Sequence, residues 1–133
     1  MIKQFQEHFN ERYQEPTAIQ SAVAEALAND KSVLGIAPTG SGKTLAFTLP
    51  LLPKVMPGTG TQLLVLSPSQ ELALQTARVM REWATLIGVK VQSLTGCANL
   101  RRQVMKLHEH PDVVVGTPGR VLHMLDNYHL KLG

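Results

Sequence analysis

A chain of 133 residues, 44% apolar and 17% charged, is long enough to bury its own core as one domain and too apolar for extended disorder. Its single cysteine, Cys97, excludes an internal disulfide and a cysteine-built metal cluster, and no apolar run reaches membrane-spanning length. The polar start Met1-Ile2-Lys3-Gln4 is unlike a secretory leader, so a cytoplasmic protein is expected, and the net charge of +3 suits a polyanionic partner without requiring one.

In chain order, Phe5, Phe9 and Tyr13 recur at four-residue spacing among charged residues. That spacing predicts an amphipathic helix over residues 3–13, aromatics inward, stopped near Glu15-Pro16. Residues 17–28 read as a second helix closed by Asn29-Asp30. The apolar run Ser32-Val33-Leu34-Gly35-Ile36 predicts a strand, and Lys43 opens a helix that Pro50 and Pro53 bend or stop. After Pro57-Gly58-Thr59-Gly60, the run Gln62-Leu63-Leu64-Val65-Leu66 predicts a strand buried on both faces. Ser67 then reads as a helix cap, with Pro68 at the first helical position and Gln70 closing a capping box, and this helix extends to Ile87. Residues 89–94 are a third predicted strand, residues 99–108 a basic helix and residues 112–115 a fourth strand. Thr117-Pro118-Gly119-Arg120 repeats the cap-then-proline pattern and opens a last helix to about Asn127.

Apolar strands alternating with helices predict an α/β fold, a parallel sheet with helices on both faces. Ligands of such sheets collect at the carboxyl ends of the strands. Residues 37–44, Ser67-Pro68, Thr95-Gly96 and Thr117-Pro118 are all expected there, on one rim.

The first of these segments, Ala37-Pro38-Thr39-Gly40-Ser41-Gly42-Lys43-Thr44, carries the chemistry of a polyphosphate site. Glycines let successive backbone N–H groups turn inward around phosphates, and a following helix aims the positive end of its dipole there. Lys43 would reach the terminal phosphates and the Thr44 hydroxyl would ligate Mg²⁺. The strict pattern has glycine where Ala37 stands, a physically mild departure.

The order of motifs resembles the first RecA-like domain of DEAD-box RNA helicases, from Tyr13 to Arg120. Pro16-Thr17-x-Ile19-Gln20 is similar to the Q motif, residues 37–44 to the ATP loop, Pro68-Ser69-Gln70-Glu71-Leu72-Ala73 to motif Ia and Thr117-Pro118-Gly119-Arg120 to motif Ib. The resemblance implies ATP and Mg²⁺ as cofactors and RNA as a partner held through its backbone. It implies one incomplete RecA-like P-loop NTPase domain over residues 1–133, with Q-motif helices in residues 1–29 and the α/β core in residues 30–133. The Gln20 amide has the donors and acceptor to pair with adenine N6 and N7, so the resemblance implies ATP over GTP; the plain alternative is an exposed helix glutamine. Tyr13 either stacks on the base, as an aromatic does in similar proteins, or packs against Phe9.

Three positions depart from the family pattern or read two ways. Ser69-Gln70 stands where similar proteins carry Thr-Arg, which removes a cation. Gly96-Cys97 stands where a paired glycine is common. Arg120 either meets a sugar-phosphate backbone or forms a surface salt bridge. Glu71 is explained by the helix dipole, and Arg101, Arg102 and Lys106 read as a solvated face before a nucleic-acid patch.

ATP hydrolysis needs carboxylates to hold Mg²⁺ and position water at the end of a buried strand, and none of the ten acids is so placed. In similar helicases an Asp-Glu-Ala-Asp motif follows shortly after motif Ib, and a second RecA-like domain supplies an arginine finger. The expectation is a piece of a helicase core that binds ATP or ADP without turnover, Lys43 and Thr44 being its share of the catalytic machinery. The alternatives are a non-catalytic nucleotide-binding module and a DNA helicase of the same superfamily.

Overall fold

The computed structural model describes residues 1–38, 42–96 and 99–132, arranged as two compact units, Met1–Lys54 and Val55–Gly133.

The first unit is helical. Helix α1, Lys3–Arg12, buries Phe5 and Phe9 as the four-residue spacing predicts. Tyr13 does not follow them inward: it falls one residue past the helix, in extended conformation, and stays 38% exposed. Helix α2, Ala18–Ala28, packs against α3, Lys43–Leu51, which ends in a short 3-10 turn, Leu52–Lys54. Pro50 sits in the last turn of α3, where it cannot donate to the carbonyl of Ala46, and Pro53 sits in the 3-10 turn as the helix stops.

The strand expected over residues 32–36 does not form. The segment runs without ladder bonds, and Leu34 and Ile36 are 86% and 84% exposed. Val33 and Gly35 instead face the helices, lining a hollow of about 360 Å³ with Ile19, Val23 and Phe47. The period-2 alternation of an extended chain is therefore present, but the partner strands that would stabilise apolar residues on both faces are not supplied by this unit.

The second unit holds a three-stranded parallel sheet of β1, Leu63–Leu66, β2, Val91–Leu94, and β3, Val113–Gly116, in the order β1-β3-β2. Leu64 pairs with Val114 and Gln92 with Val114, so the strands run level. β3 is central, with Val113, Val114 and Val115 fully buried; at about 1.5–3 kcal/mol each they form the apolar anchor of the unit. β1 is an edge strand and is only half-buried, with Leu66 at 54% exposure, which corrects the expectation of burial on both faces. Leu107 of α5, Leu100–Leu107, and Val121 and Met124 of α6, Pro118–Asp126, pack over Val114 and Leu94. Helix α4, Gln70–Ala84, lies against β2 and β3 with Ala73, Ala77, Met80 and Trp83 buried, and a 3-10 turn extends it to Ile87.

Asp112 begins β3 and is 1% exposed. Its carboxylate accepts from the N–H of Gly58 and of Lys90, both at 2.9 Å. Its own N–H donates to Lys90 O at 3.0 Å, and its carbonyl accepts from Gln62 N–H at 2.9 Å. One residue thus binds the entries of all three strands. Asp112→Ala would leave two backbone donors without their acceptor. Urea unfolding followed through Trp83 is expected to show a loss of about 2–4 kcal/mol, and a loss below about 1 kcal/mol would refute this role.

Candidate functional site

In the first unit the chemistry gathers where α2 begins and α3 begins. Thr17 caps α2: its Oγ1 accepts from Gln20 N–H at 3.4 Å, while Gln20 Oε1 accepts from Thr17 N–H at 2.9 Å, a reciprocal capping box. Because Thr17 N–H can only donate, it fixes the orientation of the amide. Gln20 Nε2 therefore points the other way and donates to Gly42 O at 3.3 Å. Gln20 is 7% exposed, so the reading of an exposed helix glutamine does not hold. One N–H and one oxygen lone pair of the amide remain, the pair of groups an adenine edge needs. The T-x-x-Q capping signal was legible in the sequence and was not used for Gln20.

Gly42 takes φ +84°, a left-handed conformation, and a Cβ built on it would lie 2.4 Å from Gln20 Nε2. Only glycine fits there on both counts. As N-cap of α3 it supplies no side-chain cap, so among the described residues no side chain caps the first N–H groups of that helix, whose positive dipole end favours an anion. Lys43 Nζ donates back to Ala37 O, which ties the ammonium to the backbone six residues earlier. Ala37 is half-buried, Pro38 exposed and Thr44 half-buried in the first turn of α3. Thr39, Gly40 and Ser41 lie outside the described residues. Tyr13 packs on Phe9 with ring centroids 4.8 Å apart and carries the Arg12 guanidinium 5.5 Å from its own centroid.

In the second unit Leu66, Gly116 and Leu94 are level partners, so the segments that follow them leave the sheet at one end. This brings together Ser67–Gln70, Thr95-Gly96 and Thr117–Arg120, three of the four segments expected on one rim; residues 37–44 follow a segment that joins no ladder. Ser67 is not the cap of α4. Its N–H continues the ladder to Gly116 O at 2.9 Å, and Ser69 caps instead, accepting from Leu72 N–H at 3.2 Å. The N3 residue is then Leu72, so Gln70 closes no box. Thr117 stands at the N-cap of α6 without a side-chain cap bond, followed by exposed Pro118 and Gly119.

Among the described residues Arg120 forms no salt bridge. Its Nη1 donates to Gln103 Oε1 at 3.1 Å and its Nη2 to Gly96 O at 3.1 Å, while Gln103 Nε2 donates to Thr95 O at 3.0 Å. A Cβ on Gly96 would stand 3.0 Å from Gln70 Nε2 and 4.0 Å from Arg120 Nη2, so this glycine sits between the side chains of motif-like segments from both flanking helices. Cys97 lies outside the described residues. Gln103, buried at a core-facing position of α5 four residues before Leu107, was missed by the sequence reading; a glutamine on an apolar helix face was the available signal. Arg120→Ala and Gln103→Ala are each expected to cost about 1–2 kcal/mol in urea unfolding, with a coupling of at least about 0.5 kcal/mol in the double variant. Additive losses would dissolve the network.

Among the described residues there is no group of three or more His, Cys, Asp or Glu able to hold a metal ion, and no helix long and apolar enough to cross a membrane. A family model described as DEAD/DEAH box helicase matches residues 17–132. The chain is 40% identical over 129 residues to the probable ATP-dependent RNA helicase YfmL of Bacillus subtilis, covering 96% of this chain and 34% of that protein. It is 38% identical over 131 residues to the ATP-dependent RNA helicase ddx46 of Dictyostelium discoideum, covering 94% of this chain and 11% of that protein. The chain therefore spans about a third or less of the length of these relatives. Among solved structures it superposes on a DEAD box protein from Methanococcus jannaschii with a TM-score of 0.87 and 30% identity, covering 99% of this chain and 37% of that one. Dbp5 of S. cerevisiae, bound to RNA and ADP BeF3, gives 0.85 and 27%, covering 99% and 34%.

Proposed function

Since the chain belongs to the DEAD/DEAH box helicase family, we propose that it is the adenine-nucleotide-binding part of an ATP-dependent RNA helicase, acting in the cytoplasm as an incomplete RecA-like domain over residues 1–133. The observation that carries this reading is the clamp of Gln20 on Gly42 at the uncapped start of α3. One side chain there touches the end of the phosphate loop and keeps the two groups an adenine edge would use. Dbp5, similar in structure, is solved with ADP.

In this reading residues 37–44 wrap the phosphates, Lys43 leaves Ala37 O to neutralise the terminal phosphate, and Gln20 selects adenine. Tyr13 closes over the base from its half-open position beside Phe9, and Thr17 holds Gln20 in place. For Mg²⁺ these residues offer one oxygen donor, the Thr44 hydroxyl in the first turn of α3; Thr44 would hold the ion alongside phosphate oxygens, and the ion would neutralise phosphate charge when bound. Pro68, Ser69, Gln70, Gly96, Thr117, Pro118, Gly119 and Arg120 form the surface for the RNA backbone, with Arg120 acting through the Thr95-Gly96 segment it braces.

The chain binds nucleotide without turnover. Asp112, the buried acid of the sheet, spends both carboxylate oxygens on backbone N–H groups at the strand entries, the end opposite the rim. Hydrolysis and unwinding belong to the longer protein, with a second RecA-like domain. A phosphate-release assay on this chain with ATP, Mg²⁺ and RNA is expected to stay at background; release above it would sink the reading. Isothermal titration should show ADP bound in preference to GDP, with Gln20→Ala and Lys43→Ala each weakening ADP by about tenfold or more. Equal binding of ADP and GDP would remove the adenine role of Gln20 while leaving the phosphate loop.

A further inference from the structure

The edge of the sheet opposite β1 carries chemistry that the rim does not use. β2 is that edge. Along it, between the end of α4 and α5, runs a cleft of about 680 Å³ whose walls carry Arg81, Lys90, Arg102 and Lys106 against a single carboxylate, Glu109. Among the described residues none of the four cations pairs with an acid. Four like charges set against one carboxylate leave a net positive field, and a concave site strengthens their joint pull on an anion.

The plain explanation of cations at a sheet edge is protection against strand addition. Arg81 does serve that end. Lys90 O and Leu94 O accept from the β3 side, so the residues between them in the alternation, Val91 and Ser93, turn their backbone outward, and Arg81 Nη2 already holds Val91 O at 3.3 Å. Arg102 and Lys106 do not serve it: they stand one turn apart on α5, exposed, away from the strand. The blocked carbonyl also decides between occupants. An acidic peptide docking as an added strand would have to displace Arg81, whereas a chain of phosphates needs only the cations. The cleft is lined further by Gln92, 7% exposed, whose Nε2 donates to Gln103 O at 2.9 Å and whose Oε1 has no hydrogen-bond partner among the described residues.

We propose that this cleft is a second binding surface for single-stranded RNA, separate from the strand-end rim, taking phosphates on Arg102, Lys106, Lys90 and Arg81. The inference rests on RNA being the partner of this chain. Its test is fluorescence anisotropy of a labelled oligouridylate across a salt series, with the whole chain, a cleft variant (Arg102→Glu with Lys106→Glu) and a rim variant (Thr117→Glu), each checked for folding by circular dichroism. The cleft variant is expected to bind about tenfold more weakly, with the salt slope reduced by about 1.4 for two lost cations. Unchanged binding in the cleft variant with loss in the rim variant would overturn the cleft and leave the rim standing. Absence of RNA binding by the unaltered chain would overturn both. An oligoglutamate that displaces RNA from the unaltered chain but binds no better than background to the cleft variant would assign the cleft to an acidic protein segment instead. Should the glutamate variant fail to fold, Arg102→Gln with Lys106→Gln answers the same question, with an expected loss of about threefold.

Discussion

The Asp112 carboxylate is almost sealed from water, and a charge so placed is tolerated only when its oxygens are filled by donors. Here the donors are backbone N–H groups from two separate segments, the 58 turn and the start of β2, while the Asp112 backbone joins β1 and β2 directly. Because these bonds are all made at the strand entries, they set the register of three parallel strands at once. Four residues further along, at about 3.3 Å per residue, that register emerges as the level ends Leu66, Gly116 and Leu94. The rim is placed by an acid at the opposite end of the sheet.

A comparable economy holds in the helical unit. Gln20 belongs to the start of α2 through its capping box and to the start of α3 through Gly42 O. The left-handed Gly42 turns its carbonyl toward that amide, and any side chain there would collide with it. One amide therefore ties two helix starts together, so a change in its bonding is felt at both. Lys43, held on Ala37 O, is poised within the same loop.

Most of the helices and the three paired strands were legible because local signals set them: four-residue aromatic spacing for α1, the Asn29 and Pro118 boundaries, unbroken valines for β3. What was not legible depended on partners distant in sequence. Residues 32–36 have the composition of a buried strand, yet composition does not say which edge will offer hydrogen bonds. Ser67 and Ser69 are equally good caps by residue type, and Ser69 caps because the ladder runs on through Ser67 N–H to Gly116 O, so the helix opens two residues later. The bracing contact of Arg120 was not legible beside its two readings, a sugar-phosphate contact or a surface salt bridge, because Gln103, seventeen residues earlier, gave no sign of facing it. The Asp112 hub was invisible for the same reason: a lone acid before a valine run looks like a solvated strand start.

The two helices that open on the rim are not equivalent toward a phosphate. α4 begins with Ser69 occupying the Leu72 N–H and with Glu71 in its first turn, so part of its donor set is filled and its dipole is partly cancelled. α6 begins at Thr117 with no side-chain cap and no acid in its first turn, and Gly119 presents no side chain over its N–H groups. A backbone phosphate therefore gains more at α6 than at α4, even though the arginine there is turned away. That arginine is better spent on the Thr95-Gly96 segment, since the three bonds joining Arg120, Gln103, Gly96 O and Thr95 O hold a glycine-containing loop still beside the open helix start. The rim thus presents fixed backbone donors at the start of α6 and spends its arginine on bracing the neighbouring Thr95-Gly96 segment.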